Sequence, residues 1–457
     1  MVLFIALASL TIIATYLLSI FDKKQQKQSQ DPSLNMPEKN TLKVEQVTEG
    51  LTFPTSMAFI DGNNLVVLEK DGQVRLISNG TLQKQPILTV SVNTTAERGL
   101  LGIATISGGG ADNGRSSSGK QNHNIKGENI IESSLGTVNK KTATNTTNSK
   151  VFLYFTESKT DKPLRNKIYE YDWDPDKHLL FNPTLILDLP ALPGPYHNGG
   201  KLVVGPDHYL YAVIGNLNTG DGLLQNNKHG TRPDDTSVIL RINPSDASAA
   251  PNSNPFPNNS INKNTNSKLA RYFAYGIRNS FGITFDPITG YLWDTENGEA
   301  NYDEINLVKP GFNSGWYQVM GPISRSNVTQ GDLVNFKGSH YSDPVFSWLN
   351  SIGVTDIEFL KSSRLGEKYA YNIFVGDINN GNLYYFEVNN TRTGLRFDNP
   401  NAQPGLTDLV ADNKDEVSEI TFGTGFGGIT DIKTGPDGFL YILSYGHGAI
   451  YRIAPLP

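Results

Sequence analysis

Leu202 to Val213 reads LVVGPDHYLYAV: an apolar run, a turn built on Gly, Pro and Asp, then a second apolar run opening on Leu-Tyr. Both runs are too short for helices, and Gly-Pro-Asp punctuates them as a turn, so the unit reads as two strands joined tightly. It recurs as MAFIDGNNLVVL from Met57, ITFDPITGYLWDT from Ile283 and IKTGPDGFLYIL from Ile432, with degenerate versions at Phe374–Phe386 and Val151–Tyr169. The four clear copies start 145, 81 and 149 residues apart, a spacing that insertions between units explain. Repeated β units of this kind suggest a propeller, whose radial packing leaves little sheet edge exposed; unrelated hairpins in a sandwich are the other reading.

The rest of the chain past about residue 44 agrees. Short strand-like runs at Leu65–Leu68, Val238–Ile242, Leu383–Phe386 and Leu440–Leu443 alternate with Gly, Pro, Asp and Asn, and long amphipathic helices are missing, so the class is all-β. Gly and Pro contribute 44 and 25 of 457 residues, about 15% against roughly 12% in average usage. This argues against a coiled coil, a helical bundle or chain-wide disorder. With 39 basic and 45 acidic residues and no basic block, nothing points to a nucleic-acid partner. Cys is absent, which excludes disulfides, thiolate metal sites and a Cys nucleophile.

The expected organisation is a membrane anchor or signal segment at 1–22, a polar linker at 23–43 and a propeller at 44–457. Val2–Phe21 carries no charge and is long enough as a helix to cross a bilayer, which favours an uncleaved transmembrane or signal-anchor helix. Lys23, Lys24 and Lys27 would hold the following side in the cytoplasm, whereas N-x-S/T acceptors at Asn79, Asn93, Asn145, Asn258, Asn327 and Asn389 suit an outside domain. The expectation is a domain anchored on the outer face of the cell membrane. Ser107–Lys150 is nearly free of aromatics and rich in Gly, Ser, Asn and Thr, so it reads as a disordered insertion between two strands.

Three polar stretches could carry chemistry. His197, in PGPYHNGGKL from Pro193, stands beside consecutive glycines where the backbone bends tightly and a ligand can approach. A neutral imidazole there suits a general base, and a loop histidine bonded to a carbonyl is the bland alternative. Arg278 and Asn279, in YGIRNSFG from Tyr275, offer adjacent donors to a carbonyl or carboxylate, or a structural ion pair. TENGEANYDEIN from Thr295 is an acidic, Gly-containing loop of the kind that calcium prefers, without EF-hand spacing.

Ten words, in order and spanning about residues 45–455, resemble the soluble glucose/sorbosone dehydrogenases. They are GLTFPTSMAF from Gly50, EKDGQVR from Glu69, RGLLGIA from Arg98, HNGGKL from His197, ILRINP from Ile239, NPF from Asn254, GIRN from Gly276, DEINLV from Asp303, NSGW from Asn313 and AIYRI from Ala449. The resemblance implies a six-bladed β-propeller that oxidises an aldose at its anomeric hydroxyl, using pyrroloquinoline quinone (PQQ) and Ca2+, with an electron acceptor that the sequence does not name. It implies His197 as base and Arg278 as electrophilic helper, with Arg278 and Asn279 against the cofactor. Glu97, Asn379 and Thr430 stand at further cofactor positions, and Gly298 and Glu299 where backbone carbonyls hold calcium.

The chain departs from the family where charge matters. Asn216 stands where an Asp orients the histidine, Glu97 where a Gln touches the cofactor, and Tyr196 where some members have Asp. Asn379 replaces a Lys, and Gly428 and Thr430 replace arginines. Each lost charge-assisted bond to a cofactor carboxylate would remove about 1.5–3 kcal/mol of binding. A carbohydrate- or protein-binding propeller without the quinone, and a calcium-dependent lactonase, are therefore the competing readings.

Overall fold

A computed structural model describes residues 31–35, 38–108, 149–250, 254–256, 268–397 and 404–457. Its strands form six sheets whose innermost members are Pro54–Phe59, Leu100–Ile106, Leu202–Val204, Ser280–Phe285, Val354–Phe359 and Ile429–Thr434. Each innermost strand packs on the next, and the last packs on the first, so the sheets close a ring around an axis. The fold is an all-β propeller. Leu42–Thr48 pairs antiparallel with Ala449–Pro455, so the ring is closed by a sheet built from both ends of the domain.

The repeated hairpin now has a place. In four sheets it is the innermost strand and the one beside it: Pro54–Phe59 with Asn64–Glu69, Leu202–Val204 with Leu210–Ile214, Ser280–Phe285 with Leu292–Glu296, and Ile429–Thr434 with Leu440–Ser444. The second strands are apolar without alternation because they are covered on both sides. Leu210, Ala212 and Ile214 enter the core shared with the preceding sheet, while Tyr211 and Val213 enter the core shared with the following one. Six such apolar seams join neighbouring sheets. The turn is specified too. Asp207 accepts from Tyr211 Oη at 2.9 Å and from Arg241 Nε at 2.8 Å, and Asp437 repeats the motif with Tyr441 at 2.9 Å and Arg452 at 2.9 Å.

At the axis the inner strands carry charge. Lys201 Nζ lies 2.8 Å from Asp356 and 2.9 Å from Asp431, and Lys433 contacts both carboxylates. Asp431 Oδ2 also accepts from Ser56 Oγ (2.6 Å) and from the Met57 amide (2.7 Å), tying the sixth sheet to the first.

The expected membrane segment at Val2–Phe21 lies outside the described residues, and among those described no helix is long and apolar enough to cross a membrane. Within the stretch read as linker, Ser33 and Leu34 pair with Thr424 and Gly423, and Glu38 is buried beside Lys368. Those contacts dock that segment onto the fifth sheet. Residues 109–148 of the expected insertion also lie outside the description. Its two ends meet, since Ile106 pairs with Lys150 and the Gly108 amide donates to Ser149 Oγ.

Candidate active site

The innermost strands of the second, third and fourth sheets are each entered through a polar word: ERG from Glu97, HNGG from His197 and RN from Arg278. All three therefore gather at one end of the axis. A cavity of about 280 Å³ opens there, lined by Glu97, Gly199, Lys201, Asn297, Thr355 and Thr430 among others. The glycines after His197 are required by contact. A Cβ at Gly199 (φ +62°) would lie 2.6 Å from the Val213 carbonyl, and one at Gly200 (φ +110°) 2.7 Å from Leu101 Cβ.

Hydrogen bonds join the predicted residues. Glu97 Oε2 accepts from the His197 amide (2.6 Å) and from Asn279 Nδ2 (3.2 Å). His197 Nδ1 lies 2.5 Å from Asn216 Oδ1. The orientation of that amide follows from its other bonds: Nδ2 donates to the Thr219 carbonyl at 2.5 Å, and Oδ1 accepts from the Asn218 amide at 3.1 Å. An oxygen facing Nδ1 requires Nδ1 to carry the proton, which leaves Nε2 as the acceptor. Burial and the Arg278 charge push the His197 pKa down to about 4, opposed by Asn216. The ring is therefore neutral at physiological pH. Burial raises the Glu97 carboxyl above its ordinary range.

Arg278 is held from three sides. Its amide donates to Glu296 Oε1 (2.5 Å), its Nη1 donates to the carbonyls of Asn297 (2.9 Å) and Gly298 (2.8 Å), and its guanidinium lies 5.1 Å from the Trp316 ring. Arg278 Nε and Asn279 Oδ1 are buried without a partner among the described residues. Two such orphaned groups beside a cavity fit a ligand rich in ring oxygens and nitrogen.

Glu97 thus ties His197 and Asn279 together, with Arg278 next to Asn279 in the chain; of the predicted residues Glu97 and Thr430 line the cavity itself, and Thr430 donates to the Pro54 carbonyl (2.8 Å). The side chains of Asn379 and Glu299 do not join them and are exposed in the turns between successive strands; the calcium contact expected of Glu299 is through its backbone carbonyl. Gly298 is buried, and its carbonyl accepts one hydrogen bond from Arg278. Among the described residues no three His, Cys, Asp or Glu side chains form a metal-holding group.

Sequence reasoning passed over two cavity lysines inside words it had quoted. Lys70 donates to the Ala96 carbonyl at 2.5 Å and pairs with no carboxylate among the described residues, and Lys201 carries the axial ion pairs. A lysine heading a fully apolar inner strand was the available signal for the second.

The glucose/sorbosone dehydrogenase family matches residues 116–452. The chain is 27% identical over 280 residues to aldose sugar dehydrogenase YliI of Escherichia coli (strain K12), covering 60% of this chain and 64% of that one. The apo form of the soluble aldose sugar dehydrogenase of E. coli superposes with a TM-score of 0.61 at 20% identity, over 91% of this chain and all of that one. The PQQ-bound form of aldose sugar dehydrogenase from Streptomyces coelicolor does so with a TM-score of 0.59 at 22% identity, over 93% of this chain and all of that one. These superpositions reproduce the propeller, while the family match spans well over half of the sequence: the chain belongs to the glucose/sorbosone dehydrogenase family.

Proposed function

We propose that this propeller, each of its six sheets one blade, is an aldose dehydrogenase that uses PQQ and removes the proton of the anomeric hydroxyl through His197. The observation that carries this reading is the fixed tautomer: Asn216 holds the proton on Nδ1 and leaves Nε2 free, a neutral base at physiological pH. PQQ, when bound, would supply the two-electron acceptor. Arg278 and Asn279, with their orphaned Nε and Oδ1, would hold its polar ring edge, and Lys70 would offer a cation to a carboxylate. Glu97 sets the site's shape by bonding the His197 and Asn279 nitrogens together. An extracytoplasmic location on the outer face of the membrane remains part of the proposal, on the strength of the apolar Val2–Phe21 segment and the glycosylation acceptors.

Calorimetric titration of PQQ into the purified protein, followed by an aldose panel with an artificial electron acceptor, tests this reading. Micromolar binding and turnover are expected, with His197→Gln lowering kcat by about 10²–10⁴ and the wild-type acid limb falling near pH 4. A second reading, a sugar-binding propeller without the quinone, draws on the guanidinium already seated on the Gly298 carbonyl. Sugar binding without PQQ binding would favour it.

A further inference from the structure

A second cavity, of about 790 Å³, lies beside the first at the edge of the fifth sheet. No residue lines both, but the chain links their walls. Asn350, Ser351 and Ile352 line the larger cavity and lead directly through Gly353 to Val354 and Thr355 of the smaller, and Asn380 follows Ile378 by two residues. The dividing contact is thin: the Ile378 amide donates to the Gly353 carbonyl at 2.9 Å, and a Cβ at Gly353 would meet Asn379 Nδ2 at 2.6 Å.

The lining of the larger cavity has an unusual composition. It holds Asn35, Asn350, Asn380, Asn382 and Asn413 with several hydroxyls, one lysine, and no carboxylate. Neutral amides and hydroxyls offer both donors and acceptors without charge, which is the complement of a polyol. Several of these groups are uncommitted. The Asn350 side chain and the Ser418 and Thr424 hydroxyls have no hydrogen-bond partner among the described residues, and Ser351 Oγ is buried with none. A buried orphan hydroxyl calls for a ligand or water atom. The volume falls within the range of small-molecule sites.

We infer that this cavity is a carbohydrate subsite that holds the remote units of an oligosaccharide whose reducing end reaches the cavity lined by Glu97 and Gly199. The inference rests on the dehydrogenase reading for the fate of the reducing end, but the binding of the remote units stands on this cavity alone. Oligosaccharide substrates would then gain in KM over glucose, with kcat unchanged.

The test uses the full protein with glucose, maltotriose and cellotriose, in two readouts. In ligand-observed NMR without PQQ, at least one trisaccharide is expected to bind and glucose to bind about tenfold more weakly. Asn350→Trp, an exposed substitution that fills the cavity, and Ser351→Val, which removes the orphan hydroxyl, should each abolish that difference. In PQQ-loaded turnover, the trisaccharide advantage should lie in KM and vanish in Asn350→Trp, with glucose kinetics retained. Trisaccharide binding without oxidation of any sugar would sustain the subsite and remove the dehydrogenase reading. Oxidation with equal KM for glucose and both trisaccharides, or binding unchanged by both substitutions, would overturn the subsite. Neither binding nor oxidation would overturn both.

Discussion

Two groups of buried charge sit within this propeller and are balanced in opposite ways. At the axis Lys201 and Lys433 face Asp356 and Asp431, two positive charges against two negative, contributed by the third, fifth and sixth sheets. Within the fourth sheet Asp294, Glu296 and Glu304 share one face with Asn306, since Asp294 pairs with Asn306 and Glu296 with Glu304 across the strands. All three carboxylates are buried, and both oxygens of Asp294 lack a hydrogen-bond partner among the described residues. In the first group Asp431 stays ionised because Lys201 and Lys433 outweigh its burial, while burial and the neighbouring Asp431 push Asp356 up to about 7 despite the same two ammoniums. The second relieves its repulsion by holding protons: burial pushes Asp294 and Glu304 well above the ordinary carboxylate range, and Glu296 adds to both shifts. The same residue types thus serve as a charged clasp in one place and as neutral hydrogen-bonding acids in the other.

Removing one partner of the clasp should have the largest effect. Lys201→Met leaves two buried aspartates with only Lys433 to face them, and a loss of about 3–5 kcal/mol is expected in urea unfolding. A loss below about 1 kcal/mol would mean that the axis is wet enough to treat these as surface charges. Lys201 also lines the active cavity, so the stability loss should come with a weakened ligand site.

Substitution in the acid group should run the other way. Asp294→Asn keeps the shape, supplies a donor to the neighbouring carboxylates and removes a group whose oxygens have no hydrogen-bond partner among the described residues. Stabilisation by about 1–3 kcal/mol at pH 7 is expected, the usual desolvation cost of an unsatisfied buried group. Destabilisation would show that the Asp294 proton makes a bond that matters to the fold.

The contrast also marks what could be read from the chain. The hairpin LVVGPDHYLYAV and its copies announced the inner strands because covering both faces imposes an unbroken apolar run, and the Asp and Tyr of the turn bond each other locally. His197, Arg278 and Asn279 were legible because each precedes an inner strand in a recognisable word. The clasp was not, since Lys201, Asp356 and Asp431 lie far apart in sequence and meet only when the ring closes. Asn216 was read as a loss relative to an aspartate. Its actual role, fixing the histidine tautomer, depends on the Asn218 amide and Thr219 carbonyl, which only the folded turn presents. The polar cavity beside Asn350 drew no notice because asparagines in turns are ordinary and their convergence is a property of the fifth sheet.

The smallest effect, and the most direct comparison, is in the pH dependence of stability. Asp431 is buried, but Lys201 and Lys433 outweigh that burial and hold its carboxyl below the usual range. Its contribution is therefore present above the unfolded carboxylate pKa and is lost as pH falls through the folded one. Asp294 and Glu304 have raised folded values, so the folded state keeps protons that the unfolded chain has released. Their sign is opposite: stability falls as pH rises above about 4, by up to about 1.4 kcal/mol per pH unit for each group. The wild type should accordingly be most stable in mildly acid solution and lose stability toward neutrality. Asp294→Asn should flatten that falling limb and leave the acid limb in place, whereas Asp431→Asn should flatten the acid limb. Parallel urea midpoints from pH 3 to 8 would separate the two groups, and a falling limb unchanged in Asp294→Asn would show that the fourth-sheet carboxylates are ionised after all.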